Sequence, residues 1–418
     1  MEKVLSKINV DSVFFYTLSV FILTLPYNIS NWWIGTFSII LLLVTLANPS
    51  RKKAISTVLH ERPLQILFIF ILFTYVSVLW SESPALFNGD LKTNIGRFKY
   101  YFLIIPAIYL SNLSRKDIKN IFTVIALAPS LSILLYYTNY FDITSIFAAQ
   151  NQSSDLILRH YLIQNFFILF SILYLYINTF TAIEENNYSK LLIYVPMLLI
   201  ACLSLVIDEK TDSRLIDLAL ILILITVPFY YLKPKKYFLL FFILLTVAIV
   251  LMTNSVSFQK GIKSFNQAVT TGTYTESWGH RLGYKIIGIE IFTENPIIGR
   301  GINDISRLIY KKAEDKPKYF TGEFQRHFHN EHINILVAVG IFGYILFIYF
   351  LLFLFKLNIK DKSINVFKNI TISTMLFLMI GEHYLSFKST TNFFSILIAL
   401  FITYKYLEKT QENSITIK

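Results

Sequence analysis

Three histidines, His327, His329 and His332, crowd the start of one apolar run in QRHFHNEHINILVAVGIFGYILF. His329 and His332 are about one helical turn apart, so a helix would place them on one face. Three chemistries compete for them. A metal centre needs three or four convergent ligands, with Glu323 or Glu331 as helpers. HNEH is not the HExxH pattern and no acidic cluster supports it, so no metal is assigned. Structural histidines at an interface are the second reading. The third is a neutral imidazole acting as general base at a membrane face, where it could take a hydroxyl proton near neutral pH.

Two arginines are the other candidates. Arg214 opens an apolar run in TDSRLIDLAL, with Asp208, Glu209, Asp212 and Asp217 nearby. Ionisable groups so close to a membrane are costly and point to function, although an ion-paired or snorkelling arginine is the plain alternative. Arg281 falls in the first turn of an expected helix, beside His280. A cation there is electrostatically unfavourable, so it is either simply solvated or part of an anion site with the helix end. NPIIGRG, with Gly299, Arg300 and Gly301, reads as a turn that could present backbone N–H groups to an anion. It lacks the strand-turn-helix setting of a dinucleotide site, and no Walker, kinase-lysine or GxSxG motif occurs.

The elements that must position these groups follow from composition. The 418 residues are 55% hydrophobic and only 15% charged, with mean hydropathy +0.55. Soluble domains carry roughly 25% charge, so the chain reads as an integral membrane protein, and disorder is excluded. A single cysteine, Cys202, excludes an internal disulfide framework. The net charge of +12 is first a matter of topology, and no nucleic-acid partner is inferred.

A ruler of about 20 apolar residues per crossing gives about twelve helices. They fall at 12–29, 32–48, 64–80, 98–112, 119–138, 160–180, 189–207, 213–232, 236–253, 331–355, 366–386 and 390–406. The runs are continuous, not alternating, so a β-barrel does not fit. The first is read as a retained helix, not a signal peptide. Lys3, Lys7, Arg51, Lys52, Lys53, Arg62, Arg115, Lys116, Lys119, Lys233, Lys235, Lys236, Lys356, Lys360, Lys362 and Lys368 then all fall on one side. The positive-inside rule makes that side cytoplasmic, together with both termini. Loops 81–97, 139–159, 208–212, 381–389 and about 254–330 face outward. The expected organisation is helices one to nine over 1–253, a periplasmic loop over 254–330, and helices ten to twelve with a cytoplasmic tail over 331–418. Within the loop, Trp278, Leu282, Ile286, Ile289 and Phe292 form one helical face with Lys285 elsewhere, as in a helix that lies on the bilayer or caps the bundle.

On these residues the chain resembles the O-antigen ligase family and the related polymerases of the Wzy type. His329-Asn330, nine residues and Gly340-Ile341-Phe342-Gly343 match that family's H-N-x9-G-x-x-G pattern. Arg214 and Leu218 match its R-x3-L, and HRLGYKIIGIEIFTENPIIGRGIND is similar to its Arg-bearing helix and Pro–Gly turn. The motifs cover about 200–350; the first half is similar only in topology. The resemblance implies an all-α polytopic glycosyltransferase of the GT-C type in the bacterial inner membrane, with its active site facing the periplasm. It implies no metal or other cofactor, an undecaprenyl-diphosphate-linked glycan as donor, and inversion at the anomeric carbon. His329 is the implied base, Arg214 and Arg281 the diphosphate ligands, and Asn330 and Arg300 further substrate contacts. A ligase transfers to lipid A–core oligosaccharide; a polymerase transfers to a second lipid-linked repeat unit. Chain length, the motif spacing and the single large outer loop favour the ligase. A protein O-oligosaccharyltransferase often has a larger outer or C-terminal domain. From another class, a flippase or secondary transporter fits the topology, but it would bring internal repeats and mid-membrane charges, whereas no repeat is evident and most charges lie at span ends.

Overall fold

The structure, a computed structural model, describes residues 10–26, 31–48, 55–82, 98–140, 161–207, 214–254, 256–274, 277–315 and 327–416. Lys3, Lys7, Arg51, Lys52, Lys53, Asp208, Glu209, Asp212, Glu323 and most of the outer loops 81–97 and 139–159 lie outside the described residues. Among the described residues there is no strand. The α-helices are α1 (Val10–Thr24), α2 (Asn31–Leu46), α3 (Arg62–Val76), α4 (Lys99–Leu110), α5 (Arg115–Tyr140), α6 (Tyr161–Glu184), α7 (Tyr188–Ile207) and α8 (Arg214–Phe229). They continue as α9 (Pro234–Asn254), α10 (Val256–Thr271), α11 (Ser277–Glu294), α12 (Ile305–Glu314), α13 (Glu331–Lys356), α14 (Lys362–Leu378) and α15 (Lys388–Thr416).

Every expected apolar run contains one helix, and α10, α11 and α12 fill the long loop. Four segments are long and apolar enough to cross a membrane by length and composition: Arg62–Trp80, Ile163–Glu184, Glu331–Lys356 and Lys388–Glu412. Val10–Thr24, Trp33–Leu46, Lys99–Leu110 and Tyr188–Leu203 are apolar but shorter. Many large apolar side chains face outward, among them Leu192 and Leu199 of α7 and Phe238 and Phe242 of α9. Lipid satisfies such a surface; water would not. The most enclosed long helix is α15, which carries Ser389, Thr390, Thr391, Asn392 and Ser395 fully buried. Several of these hydroxyls bond to carbonyls, as polar groups in a membrane interior must.

The loops sort to two ends. At one, Lys119 pairs with Asp361 at 2.6 Å, Lys362 with Glu184 at 2.6 Å, and Tyr109 bonds Glu61. At the other, Glu82 after α3 pairs with Arg307 of α12 at 3.1 Å. These groupings are those that the loop charges suggested. Lys368 is an exception: counted as a loop cation, it lies inside α14, fully buried. Its ammonium donates to the carbonyls of Leu354 and Phe355 at 2.7 and 2.9 Å, at the end of α13 where carbonyls lack a full set of helical donors.

Helix α11 differs from expectation in its face. Tyr284, Ile287 and Ile291 are buried, whereas Ile289 is 54% exposed. Glycines decide this. A Cβ on Gly288 would stand 2.3 Å from Ile333 Cγ2, so the glycine side of α11 is where α13 docks. Helix α11 therefore caps the bundle. The stripe free to meet a bilayer is on α10, where Ile262, Phe265 and Val269 are exposed and Gly261, Ser264 and Ala268 are buried on another side.

Candidate active site

Helix α14 ends at Leu378, not at the expected 386, and residues 379–387 form a return to α15 that contains one 3-10 turn, Tyr384–Ser386. The return is fastened to the start of α13: Glu331 N–H donates to Met379 O at 2.9 Å, and Asn330 Nδ2 donates to Ile380 O at 2.9 Å. It carries Glu382, whose side chain is 1% exposed. Arg281 Nη2 donates to Glu382 Oε1 at 2.6 Å. His329 Nδ1 lies 3.3 and 3.2 Å from the two carboxylate oxygens. His383 Nδ1 is 3.3 Å from Oε2. Burial works to raise the Glu382 carboxyl, but the contacts from His329 and His383 and the charge of Arg281 outweigh it and hold the group well below the usual carboxylate range.

An ionised carboxylate only accepts, so the His329 Nδ1–H donates to it. Of the two neutral tautomers, this hydrogen bond selects the one with its lone pair on Nε2. The backbone at His329 is left-handed, with φ 49°. Histidine tolerates this region better than most residues, at a cost of about 1–2 kcal/mol. Asn330 then caps α13, its Oδ1 accepting from Ile333 N–H at 3.0 Å. Both halves of the Asn330 amide are therefore engaged by backbone.

Arg281 sits at the start of the second turn of α11, because the helix runs from Ser277, one residue before the expected 278. Its partner is a carboxylate from the α14–α15 return, which answers the cost of a cation near a helix start. His280 beside it is pushed down by burial and then by His329. Arg214 opens α8 and lies over the Trp278 ring, 5.5 Å from its centre. Gly261 of α10 makes room for it: a Cβ there would stand 2.9 Å from Arg214 Nη1 and 3.0 Å from Trp278. Leu215 packs on Gly381, next to Glu382. Arg214, Arg281 and His329 thus gather at one end of the bundle around the α14–α15 return.

Arg300 does not join them. Its guanidinium pairs with Glu294 and stands 3.8 Å from Glu82 Oε1, in a rim network with Lys312 and Arg307. The neighbouring N–H groups do not face an anion either, contrary to the expectation for this turn. Helix α13 breaks at Gly340, with φ 67°, which frees carbonyls one turn back. Arg300 N–H donates to Val337 O at 2.7 Å and Gly301 N–H to Ala338 O at 2.9 Å. In return, Ile341 and Phe342 N–H donate to Pro296 O and Ile297 O. The turn and the helix break complete each other's hydrogen bonds. Any Cβ on Gly340 would stand 2.3 Å from Ile297 O, and one on Gly343 2.4 Å from Val339 Cγ2. This gives the G-x-x-G spacing a steric reason.

The histidines divide. His332 is structural: Nε2 meets Leu376 O at 3.1 Å and Nδ1 meets the Tyr344 hydroxyl at 3.2 Å. His327 and His383 join His329, with one ring nitrogen of each within 4.8 Å of the others. The sequence could not supply His383 to this group. The spacing is within reach of a metal ion. The His327 and His383 rings are stacked, 25° apart at 3.3 Å, and His329 Nδ1 is held by Glu382. The arrangement fits imidazoles packed around a carboxylate.

Glu382 is the residue that sequence reasoning missed. The available signal was a Glu-His pair, Glu382-His383, at the end of an apolar run, since ionisable groups in such runs are functional candidates. Residues 196–348 match a family model described as O-antigen ligase. No curated protein matches the chain. The matched segment includes Arg214, Arg281, His329 and the G-x-x-G break, and ends before Glu382. The motifs read from the sequence fall inside the matched segment, which is similar to that family model.

Proposed function

We propose that the chain is a metal-independent, inverting glycosyltransferase that moves an O-antigen glycan from undecaprenyl diphosphate to the lipid A–core acceptor. The site would face the periplasm of a bacterial inner membrane. The observation that carries this reading is the Glu382 bridge, which sets His329 as an oriented base beside Arg281. The acceptor hydroxyl attacks the anomeric carbon while His329 Nε2 takes its proton. The bond from that carbon to the diphosphate oxygen breaks, and its electron pair leaves with the undecaprenyl diphosphate. Arg214 and the donors of Arg281 not held by Glu382 neutralise the charge that grows there. Attack opposite the leaving group in one step inverts the carbon.

The polymerase reading shares donor, base and arginines, and differs only in the acceptor. The glycolipids of a deletion strain separate the two. A ligase predicts full-length glycan left on its carrier, with bare core on the lipopolysaccharide. Core carrying a single repeat unit would overturn the ligase in favour of the polymerase. Normal lipopolysaccharide would overturn both.

A further inference from the structure

We propose that Lys285 is a third cation of the anion site and binds a phosphate of the lipid-linked donor; this rests on the glycosyl-transfer reading above. Lys285 follows Arg281 by one helical turn on α11, so the two side chains leave the same side of the helix. Gly288 continues that stripe and packs on Phe328 and Ile333, which bracket His329 and Asn330 in the sequence. Lys285 is therefore held between the Arg281–Glu382 pair and the start of α13.

The side chain is half-buried, and its ammonium makes no hydrogen bond or ion pair among the described residues. Lys312 and Lys362, by contrast, pair with Glu294 and Glu184. Burial pushes the Lys285 amine below lysine's ordinary value, Arg281 adds to that, and Glu382 pulls the other way. Glu382 already serves Arg281 and His329. Lys285 thus adds a positive charge beside a carboxylate that two other donors already engage. An uncompensated, partly desolvated cation is expensive unless an anion arrives. A diphosphate fits, because its negative charge grows as the sugar leaves. Lysine suits this position as a compact charge with rotatable donors, beside arginines that grip with a planar fork.

The test uses the purified full chain in lipid nanodiscs, with inorganic pyrophosphate as the probe and donor kinetics as the second readout. Lys285→Gln should weaken pyrophosphate binding about tenfold and raise the donor KM by a similar factor, the loss of one charge-assisted hydrogen bond. The acceptor KM should stay unchanged, and Lys285→Arg should recover most of the binding. Wild-type pyrophosphate affinity in Lys285→Gln, alongside loss in Arg281→Ala, would overturn the role of Lys285 and leave the transferase reading standing. Equal loss in the Gln and Arg variants, with lowered thermal stability, would also overturn it in favour of a packing role. A wild-type protein that neither binds pyrophosphate nor transfers glycan would overturn the underlying reading itself.

Discussion

Replacing Glu382 by Gln tests the centre of the site while keeping its shape. The carboxylate offers acceptors to Arg281 at 2.6 Å and to His329 at 3.2 Å. An amide has one oxygen and one NH2, so His329 Nδ1, which now lies 3.3 and 3.2 Å from two acceptors, would keep one of them and face a donor in place of the other. If the oxygen stays with Arg281, the NH2 faces His329 Nδ1 and favours the tautomer with its proton on Nε2, which cannot act as base. If the oxygen turns to His329, Arg281 loses its charge partner. In the serine-protease triad, the matching Asp-to-Asn change drops kcat about 10⁴-fold by that tautomer error. Arg281 is 29% exposed, so the stability loss should be smaller than the roughly 3–5 kcal/mol of a fully buried broken pair. We therefore expect about 10²–10⁴-fold lower single-turnover glycan transfer, with protein still in the membrane. The acid limb of stability should change too. A carboxylate held below its unfolded value near about 4.3 stabilises the fold above that pH and loses the contribution as pH falls. Glu382→Gln should remove that part of the acid dependence. Transfer within about threefold of wild type at neutral pH, at equal protein levels, would refute the oriented-base argument.

Other changes separate the remaining roles. His329→Ala should cost about 10²–10⁴-fold in transfer, whereas His327→Ala should cost far less and excess EDTA nothing. Inhibition by EDTA that zinc restores would instead make His327, His329 and His383 a metal site. Gly340→Ala should destabilise the protein by about 2–4 kcal/mol, read as a lower midpoint of thermal unfolding, because the new Cβ meets Ile297 O and alanine resists a positive φ. If α10 lies on the bilayer, fluorophores at Ile262, Phe265 and Val269 should be quenched by lipid-borne quenchers and one at Lys260 should not; equal quenching would exclude that orientation.

Much of the helix count was legible because each long apolar run has one physical answer in lipid. The grouping of the loops into two ends was legible for a similar reason, since Lys and Arg collect on one side. Packing faces were harder. The apolar stripe Trp278–Phe292 of α11 suited either the bilayer or the bundle, and glycines turn the helix so that Tyr284 and Gly288 meet the bundle instead. Hydrophobicity marks what can be buried, but close approach is set by the missing Cβ atoms. Glu382 was hidden differently. Its meaning depends on His329 and Arg281, which are 53 and 101 residues away, and no local pattern encodes a convergence over that distance.

The two glycine motifs act on the chemistry through distance. Helix α11 is fastened to α13 twice, by Gly288 on Phe328 and Ile333, and by the Pro296–Gly301 turn in the break at Gly340. Arg281 belongs to the first helix, and His329 to the residues leading into the second. Two fastenings along one pair of helices fix their axial register as well as their spacing, so His329 and Arg281 form one unit, with Glu382 as its bridge. Arg214 is attached otherwise, through Trp278, Gly261 and the contact of Leu215 with Gly381. A base must be within hydrogen-bond reach of its proton, whereas charge neutralisation falls off slowly with distance. The fold is thus tightest where the chemistry tolerates least error.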